Sequence, residues 1–439
     1  MSALNKLKRI LTREGASAKA FKPADELKRT LMNCLLWEDQ FYEDGVSIAE
    51  RIKLLVPLVE PDRAAALAIT AREDMKLRHA PLLLVREMAR LPKHRGLVAD
   101  TLERIIQRPD EMTELLAIYW ADALGPMQQR KRQPVSAQIK KGLARAITKF
   151  DAYQLAKYDR DGAVRIRDVL FLVHAKPKDA EQEKVWKQLV DGELPAPDTW
   201  EVSLSGGVDK RETFERLIKE KKLGGLALLR NLRLMTQANV ERETIVGAIE
   251  AMRVDRILPY RFITAARYAP DFEPELEAAM LKSIKDHPRL PGRTRLLVDV
   301  SGSMNAPLSR QSEMTRLEAA CGLAILAREV CEKCEIFTFS NEVAKVPPRH
   351  GFALRDAIVA SQPHFGTWLG KAVQEVDKKG ERLIVLTDEQ SHDKVEAPLG
   401  IGYMVNVASN QYGVGNGPWR RVDGFSEAVI AWIVASEAG

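Results

Sequence analysis

The spacing of apolar residues changes at residues 287–292, and this change constrains the fold more than any other feature of the sequence. From about residue 25 to 285, apolar residues recur every three or four positions, as in Ile48, Ile52 and Leu55. This period predicts consecutive amphipathic helices, because it places the apolar side chains on one face. After Gly292, short apolar runs alternate with helical patterns, which predicts strands and helices in turn.

These two patterns predict two domains, a helical domain over residues 1–288 and an α/β domain over residues 293–439. Helix pairs of the first kind commonly stack into an α-solenoid. Continuous apolar strands that alternate with helices predict a doubly wound parallel sheet covered on both faces. The elements expected in the second domain are strands at 295–299, 335–339, 382–387 and 401–407 and helices at 317–330, 369–376 and 425–434.

The composition is typical of a globular protein, since 45% of the residues are hydrophobic and 29% are charged. No apolar run approaches the roughly 20 residues of a membrane span. The N-terminal segment also lacks the apolar core of a secretory signal, so we expect a cytoplasmic protein without a membrane partner. Four cysteines are too few for a disulfide framework. Of these, Cys331 and Cys334 are expected to lie where a buried helix ends and a strand begins.

The net charge of +6 is unevenly distributed along the chain. Residues 130–178 contain 13 basic and four acidic residues, a net charge of +9. Residues 293–439 contain 16 basic and 18 acidic residues. A basic segment of this size indicates a candidate surface for phosphate backbones.

Oxygen-bearing side chains follow two of the predicted strands and precede one predicted helix. In doubly wound sheets, ligands bind at the carboxyl ends of the strands. A hard cation such as Mg²⁺ takes about six oxygen ligands there. The pattern therefore predicts a site for Mg²⁺ or another divalent cation such as Mn²⁺, although Asp and Ser residues also cap helices. The candidate ligands are Asp299, Ser301, Ser303, Thr367 and Asp388.

Three enzyme classes fit these residues poorly, and we predict no catalytic residues. A haloacid dehalogenase-type phosphotransferase needs a second Asp where this chain has Ser301. A serine hydrolase needs a nucleophile elbow, and the sequence around Ser303 does not form one. A two-metal nuclease needs paired acidic residues beyond those committed to one ion. We further expect His392 to be a solvated loop residue.

The candidate ligand pattern resembles the metal-ion-dependent adhesion site of von Willebrand factor A domains, over roughly residues 293–439. The resemblance implies that the three hydroxyl groups bind the ion and that Asp299 and Asp388 act directly or through water. It also implies an open coordination position that a carboxylate from a partner protein fills. Trp368 replaces the acidic residue that often follows the family's Thr.

Two segments of the helical part resemble the Ro autoantigen (TROVE-domain) family. They are LALLRNLRLMT at residues 226–236 and VLFLVHAKP at residues 169–177. Weaker matches lie at 143–147 and 257–262, and the resemblance covers roughly residues 80–439. It implies HEAT-like helical repeats that close into a ring, joined by the A-type domain.

The same resemblance implies an RNA-binding component of a ribonucleoprotein. Such a protein binds small noncoding Y-like RNA and the single-stranded 3′ ends of structured or misfolded RNA. In bacterial relatives the Y-like RNA tethers polynucleotide phosphorylase, so an exoribonuclease is an expected indirect partner in RNA quality control.

His174 and Lys157 match family positions implicated in Y RNA binding. A family Arg that follows this Lys is Asp161 here, and the adjacent Arg160 is expected to substitute for it. The predicted RNA-binding residues are Lys140, Lys141, Arg145, Lys157, Arg160, His174 and Lys176.

Purely structural roles also fit some of these motif residues. His174 also suits the end of a helix, and Arg230 and Asn231 also suit packing or capping between helices. A different function stays open as well, that of a protein-interaction scaffold without RNA. In that function the A-type domain docks an acidic partner through its ion, and the basic segment binds an acidic protein or a membrane surface.

Overall fold

A computed structural model gives the structure of the chain. It describes residues 11–18, 21–33, 45–120, 134–205, 207–255, 257, 259–285, 289–308, 314–408, 410, 412–415, 417–424 and 428–438. The chain forms two compact units, one of residues 1–48 and 210–439 and one of residues 49–209. The predicted boundary between residues 288 and 293 coincides with the change from helices to sheet and not with the division into compact units. His287 and Pro288, which lie next to this boundary, are outside the described residues.

Helices account for the regular structure before residue 285, as the period predicts. Their bounds are α1 Pro23–Asn33, α2 Gly45–Leu55, α3 Pro61–Glu73, α4 His79–Arg90, α5 Arg95–Ile105, α6 Asp110–Trp120, α7 Ala137–Ala146, α8 Ala152–Tyr158, α9 Ile166–Val173, α10 Ala180–Asp191, α11 Trp200–Ser205, α12 Lys210–Lys219, α13 Gly225–Gln237, α14 Arg242–Ala251, α15 Pro259–Tyr268 and α16 Glu273–Ile284. None of the helices within the described ranges has the length and apolar character that crossing a membrane requires.

The unit of residues 49–209 is held together by apolar faces of neighbouring helices. Helix α5 packs against α7, and Leu102 and Leu143 are fully buried. Gly142 allows this close approach, because a Cβ atom there would lie 2.7 Å from the Cβ of Leu102. A buried ion pair adds a polar contact, with Arg72 Nη2 2.5 Å from Glu111 Oε1.

The remaining elements form a six-stranded sheet with helices. Their bounds are β1 Leu290–Asp299, α17 Arg316–Val330, β2 Cys331–Phe339, β3 Val343–Lys345, α18 Gly351–Val359, α19 Leu369–Val376, β4 Arg382–Thr387, β5 Ile401–Asn406, β6 Arg420–Asp423 and α20 Ala428–Ala438. The strand order is β3-β2-β1-β4-β5-β6, and every pair is parallel except the antiparallel pair of β2 and β3. The predicted doubly wound α/β fold is confirmed, with β3 as an antiparallel edge strand. Cys331 follows α17 directly and opens β2, as predicted.

The two central strands are buried because helices cover both faces of the sheet. Leu297 of β1 packs in one apolar cluster with Leu369 and Val373 of α19. Alternation along the strand directs Leu296 and Val298 to the other face, and α17 contacts β1. Burying each Leu or Val side chain contributes about 1.5–3 kcal/mol.

Helices α15 and α16 belong to the same compact unit as the sheet. Tyr260 of α15 packs with Leu308, Met314 and Ala319 in a small apolar cluster. Helix α16 contacts α18. These contacts explain why the compact unit extends past the predicted domain boundary.

Helix α1 is anchored in this unit by a buried arginine. Arg29 is fully buried, and its Nη1 lies 2.5 Å from Oε1 of Glu389, which is also fully buried. Its Nε donates to the carbonyl oxygen of Asn410 at 2.7 Å. Glu389 also accepts a hydrogen bond from the backbone N–H of Gly415 at 2.8 Å. Arg29 therefore satisfies a carboxylate that would otherwise be buried without a counter-charge.

We expect Arg29→Met to lower the free energy of unfolding by about 3–5 kcal/mol, because the substitution leaves Glu389 buried and unpaired. Urea unfolding followed by circular dichroism measures this change. The double variant Arg29→Met with Glu389→Gln should recover part of the loss. Arg211→Met, which breaks an exposed pair with Glu215, is the control and should change the midpoint far less. An equal effect of both single variants would contradict the anchoring role of Arg29.

Candidate metal centre and nucleic-acid interface

The strand order brings the two predicted acidic ligands to the same edge of the sheet. Strands β1 and β4 are parallel neighbours, with Val298 paired to Leu386. Asp299 ends β1, and Asp388 directly follows β4. The strand order reverses between β1 and β4, which is where doubly wound sheets bind their ligands. Both carboxylates are fully buried.

The loop after β1 is organised around the carboxylate of Asp299. Its Oδ1 accepts a hydrogen bond from the backbone N–H of Ser301 at 2.9 Å. Its Oδ2 accepts one from the hydroxyl of Thr387 at 2.6 Å. The hydroxyl oxygens of Ser301 and Ser303 lie 3.3 Å apart, and both residues are buried. The D-x-S-x-S segment therefore turns its oxygen atoms towards one region.

Thr367 is held between this loop and the loop after β4. The backbone N–H of Gly302 donates to the carbonyl oxygen of Phe365 at 2.9 Å. The backbone N–H of His392 donates to the carbonyl oxygen of Thr367 at 2.9 Å, and the N–H of Thr367 donates to His392 Nδ1 at 3.2 Å. Thr367 is 3% exposed. The structure thus brings the three predicted segments together at one edge of the sheet.

The electrostatics of this edge favour a cation. Burial, together with repulsion from Asp388, raises the pKa of Asp299 to about 7. Burial also raises the pKa of Asp388, although Arg316 opposes this shift with its Nη1 3.4 Å from Oδ2. The guanidinium of Arg316 thus offsets the charge of one of the two buried carboxylates. A divalent cation would neutralise the remaining negative charge.

The donor set of this edge also fits a hard cation. Within the described part of the chain, no three side chains of His, Cys, Asp or Glu form a metal-binding cluster. The candidate centre instead combines two carboxylates with three hydroxyl groups, an all-oxygen set of the kind that Mg²⁺ prefers. The residues present therefore fit the predicted ion.

Two residues at this edge were missed or misjudged from the sequence. Arg316, the first residue of α17, is fully buried beside Asp388. The capping box of Thr315 and Glu318 signals the helix start but not this contact. His392 is an exposed loop residue, as predicted, but the sequence did not indicate that it bonds Thr367 and stacks on Trp368 with ring centroids 5.5 Å apart.

The N-terminal residues 11–18 cover the loop after β4. The hydroxyl of Thr12 donates to the carbonyl oxygen of Ser391 at 2.7 Å. The backbone N–H of Arg13 donates to Gln390 Oε1 at 2.8 Å. Glu14 Oε2 lies 2.9 Å from His392 Nε2. These contacts support the loop that presents Asp388.

The predicted RNA-binding residues lie in the other compact unit, that of residues 49–209. Four of them are exposed, namely Lys141, Arg160, His174 and Lys176, and three are half-buried, namely Lys140, Arg145 and Lys157. Lys157 Nζ lies 5.8 Å from the ring centres of Tyr153 and Tyr158. Arg145 is engaged by Asp100, with Nη1 2.6 Å from Oδ1, so it is less available to a phosphate than the exposed residues.

His174 lies at an open groove of about 830 Å³ between α9 and α10. It ends α9 in the left-handed conformation, with φ of 51°. The groove is also lined by Phe171, which is 60% exposed, and by Lys184 and Lys187 of α10. The two lysines lie beyond the basic segment 130–178 and were therefore missed. Their spacing of three residues on a helix is the signal that could have found them.

Comparison with known proteins gives a matching family model and similar solved structures. The family model of the TROVE domain matches residues 192–321. The crystal structure of the Deinococcus radiodurans Ro (RSR) protein is similar, with a TM-score of 0.62 and 18% sequence identity, over 94% of this chain and 100% of that chain. Residues 192–321 are thus similar to a TROVE domain, and the chain shares the fold of this Ro protein. No curated protein matches its sequence.

The matched residues include the segment at residues 226–236, which forms most of α13. Leu228, Leu232 and Met235 are buried on one face of this helix. Asn231 is buried as well, and its Nδ2 donates to the carbonyl oxygen of Ala227 at 2.8 Å. Arg230 is exposed. The motif thus contains a packing residue and an exposed cation side by side.

We expect the full-length protein to bind Mg²⁺ or Mn²⁺, and Asp299→Ala with Ser301→Ala to abolish binding. Isothermal titration calorimetry measures the binding. The ion should also raise the melting temperature, because a ligand that binds only the folded state stabilises it. Ser283→Ala, which removes a half-buried hydroxyl that donates to the carbonyl oxygen of Met280 in α16, is the control and should retain binding. Unchanged ion binding in the double variant would remove the site assignment.

The same titration should depend on pH in a defined direction. The pKa of Asp299 is about 7 in the folded protein, above its usual value, so the folded state without metal holds a proton that the unfolded state has released. This bound proton stabilises the metal-free folded state at low pH, and the stabilisation is lost as the pH rises towards 7. An ion must displace that proton, so affinity should rise up to about pH 7 and then level off.

Proposed function

We propose that this chain is an RNA-binding component of a Ro-type ribonucleoprotein. The TROVE domain and the Ro fold support this class of function. The observation that carries the proposal is that basic residues of the unit of residues 49–209, among them Lys141, Arg160 and Lys176, are exposed. Phosphate contacts from such residues supply most of the sequence-independent affinity for RNA.

The groove beside His174 suits a structured RNA. Lys184 and Lys187 supply charge for phosphates, and Phe171 offers an exposed ring to an unpaired base. The proposed ligands are a small noncoding Y-like RNA and the single-stranded 3′ ends of structured or misfolded RNA. In this function the protein serves RNA quality control or processing, and an exoribonuclease such as polynucleotide phosphorylase is reached through the RNA.

The candidate metal centre has a binding role in this proposal. Asp299, Asp388 and the three hydroxyl residues would hold Mg²⁺, which supplies a coordination position for a carboxylate of a partner protein. Phe365 and Trp368, which are 65% and 42% exposed, flank Thr367 and would contact that partner beside the carboxylate. No residue in this arrangement activates a nucleophile, so we propose binding without catalysis.

A protein-interaction scaffold without RNA is the second candidate function. The exposed aromatic pair beside the candidate metal centre favours it, because exposed aromatic residues are typical of protein interfaces. It gives no role to the exposed basic residues of the unit of residues 49–209. Purified protein that absorbs strongly at 260 nm and releases defined RNA would favour the ribonucleoprotein.

Removing charge from the basic surface should weaken RNA binding and flatten its salt dependence together. For Lys157→Ala with Arg160→Ala we expect the slope of log affinity against log salt to fall by roughly 0.7–0.9 for each lost phosphate contact. His174→Ser should reduce affinity for a structured small RNA with less effect on the slope, since a neutral imidazole displaces few counterions. Filter binding at several salt concentrations measures both quantities.

Asp299→Ala serves as the control in the same experiment. It should leave RNA affinity nearly unchanged, because residues 293–439 have more acidic than basic residues. The proposal would be contradicted if the Lys157 and Arg160 double variant bound like the unaltered protein while the Asp299 variant lost binding.

A further inference from the structure

Two cysteine thiols lie in contact at the amino-terminal ends of the strands, at the edge of the sheet opposite to the candidate metal centre. Cys331 opens β2, and Cys334 follows it by three residues. Both are free thiols, Cys331 buried and Cys334 half-buried. The thiol of Cys334 donates a hydrogen bond to the sulfur of Cys331. The two sulfur atoms therefore face each other.

This thiol pair is separate from the candidate metal centre in place and in chemistry. Cys334 pairs with Thr294 of β1, five residues before Asp299 at the other end of that strand. At a rise of about 3.3 Å per residue, the pair lies roughly 17 Å from Asp299. The candidate metal centre offers oxygen atoms to a hard cation, whereas thiolate sulfur is a soft ligand.

The groups around Cys331 favour its thiolate form. The hydroxyl of Thr294 donates to its sulfur, and Thr294 Oγ1 in turn accepts from Arg382 Nη1 at 2.7 Å. The hydrogen bond from Cys334 lowers the pKa of Cys331, although burial opposes this shift. The hydroxyl of Thr294 and the positive charges of Arg382 and Arg328 lower it further. A sulfur centre with negative charge is therefore compensated here.

An open groove leads from the solvent to Cys334. It has a volume of about 330 Å³, and its lining includes Thr294, Lys333 and Cys334. The carboxylates of Glu335 and Glu381 line the same groove. A cation small enough to enter would therefore meet the sulfur of Cys334 first.

The geometry favours an ion between the two sulfurs over a bond between them. Hydrogen-bonded sulfurs stand well beyond the roughly 2.05 Å of a disulfide. Closing that distance would move Cys331 or Cys334, and β2 holds both in register with β1. A soft ion in linear coordination fits between two thiolates without moving the strand.

The number of ligands favours copper(I) over zinc. Copper(I) is a soft ion that prefers thiolates and is satisfied by two of them, whereas a structural zinc site takes four ligands. Among the residues that the structure describes, no third His, Cys, Asp or Glu side chain joins the two cysteines in a metal-binding cluster.

We propose that Cys331 and Cys334 bind a single copper(I) ion as a two-coordinate dithiolate site, with Thr294 positioning the sulfur of Cys331. The thiol protons pass to the solvent when the ion binds. The complex has a net negative charge, which Arg382 and Arg328 offset. This inference is independent of RNA binding and of the candidate metal centre.

The test titrates the reduced full-length protein with copper(I) under nitrogen against bathocuproine disulfonate, a coloured copper(I) chelator. All proteins also have Cys34→Ser, because Cys34 lies outside the described residues. We expect each chain to withdraw a single copper(I) ion from the chelator and Cys334→Ser to withdraw none. X-ray absorption should show two sulfur neighbours. The ion should raise the melting temperature of the protein with both cysteines but not of Cys334→Ser.

Two further variants separate metal binding from folding. Cys321→Ala is the matched control and should retain binding, because burial raises the pKa of the Cys321 thiol to about 12 and keeps it protonated. Thr294→Val retains both thiols and removes the hydroxyl. Its affinity should fall about 10–100-fold at unchanged stoichiometry, as is typical when a group that hydrogen-bonds a metal ligand is lost. Melting temperatures without copper verify that each variant is folded.

Several results would overturn the inference. Reduced protein that withdraws no copper(I), or copper binding that Cys331→Ser and Cys334→Ser leave unchanged, would remove the site. A disulfide between Cys331 and Cys334 that forms in air in copper-free protein would also contradict it, because the geometry would then suit a bond between the sulfurs. Unchanged affinity in Thr294→Val would remove the positioning role of that residue.

Discussion

Two buried carboxylates at the ends of neighbouring parallel strands set the constraint on which the α/β part of this chain depends. Asp299 and Asp388 are fully buried, and repulsion between them adds to the cost of removing them from water. Thr387, Ser301 and Arg316 offset part of that cost by hydrogen bonds and charge. The remaining negative charge is the physical reason for proposing a divalent cation at this edge.

Distant parts of the chain are tied to this same edge. Residues 11–18 bond the loop after β4, and Arg29 pairs with Glu389, the residue next to Asp388. Met314, which packs with Tyr260 of α15, lies two residues before Arg316, which contacts Asp388. The candidate metal centre is thus a structural junction of this compact unit as well as a candidate binding site.

The sequence predicts those features that local pattern determines. Strand β4 and helix α19 have the predicted bounds, because their apolar residues are continuous or strictly periodic. Strands β3 and β6 have three and four residues, too few for a recognisable period. The pair of Arg29 and Glu389 is 360 positions apart, and nothing in either local sequence points to the other.

The central claim is that this chain binds RNA through its helical part. It is tested most directly by ultraviolet crosslinking of the full-length protein in cells, followed by purification, sequencing of the bound RNA and mapping of the crosslinked peptides. We expect a defined set of bound RNAs, with crosslinks in residues 140–187. Purified protein without bound RNA, or crosslinks confined to residues 293–439, would contradict it.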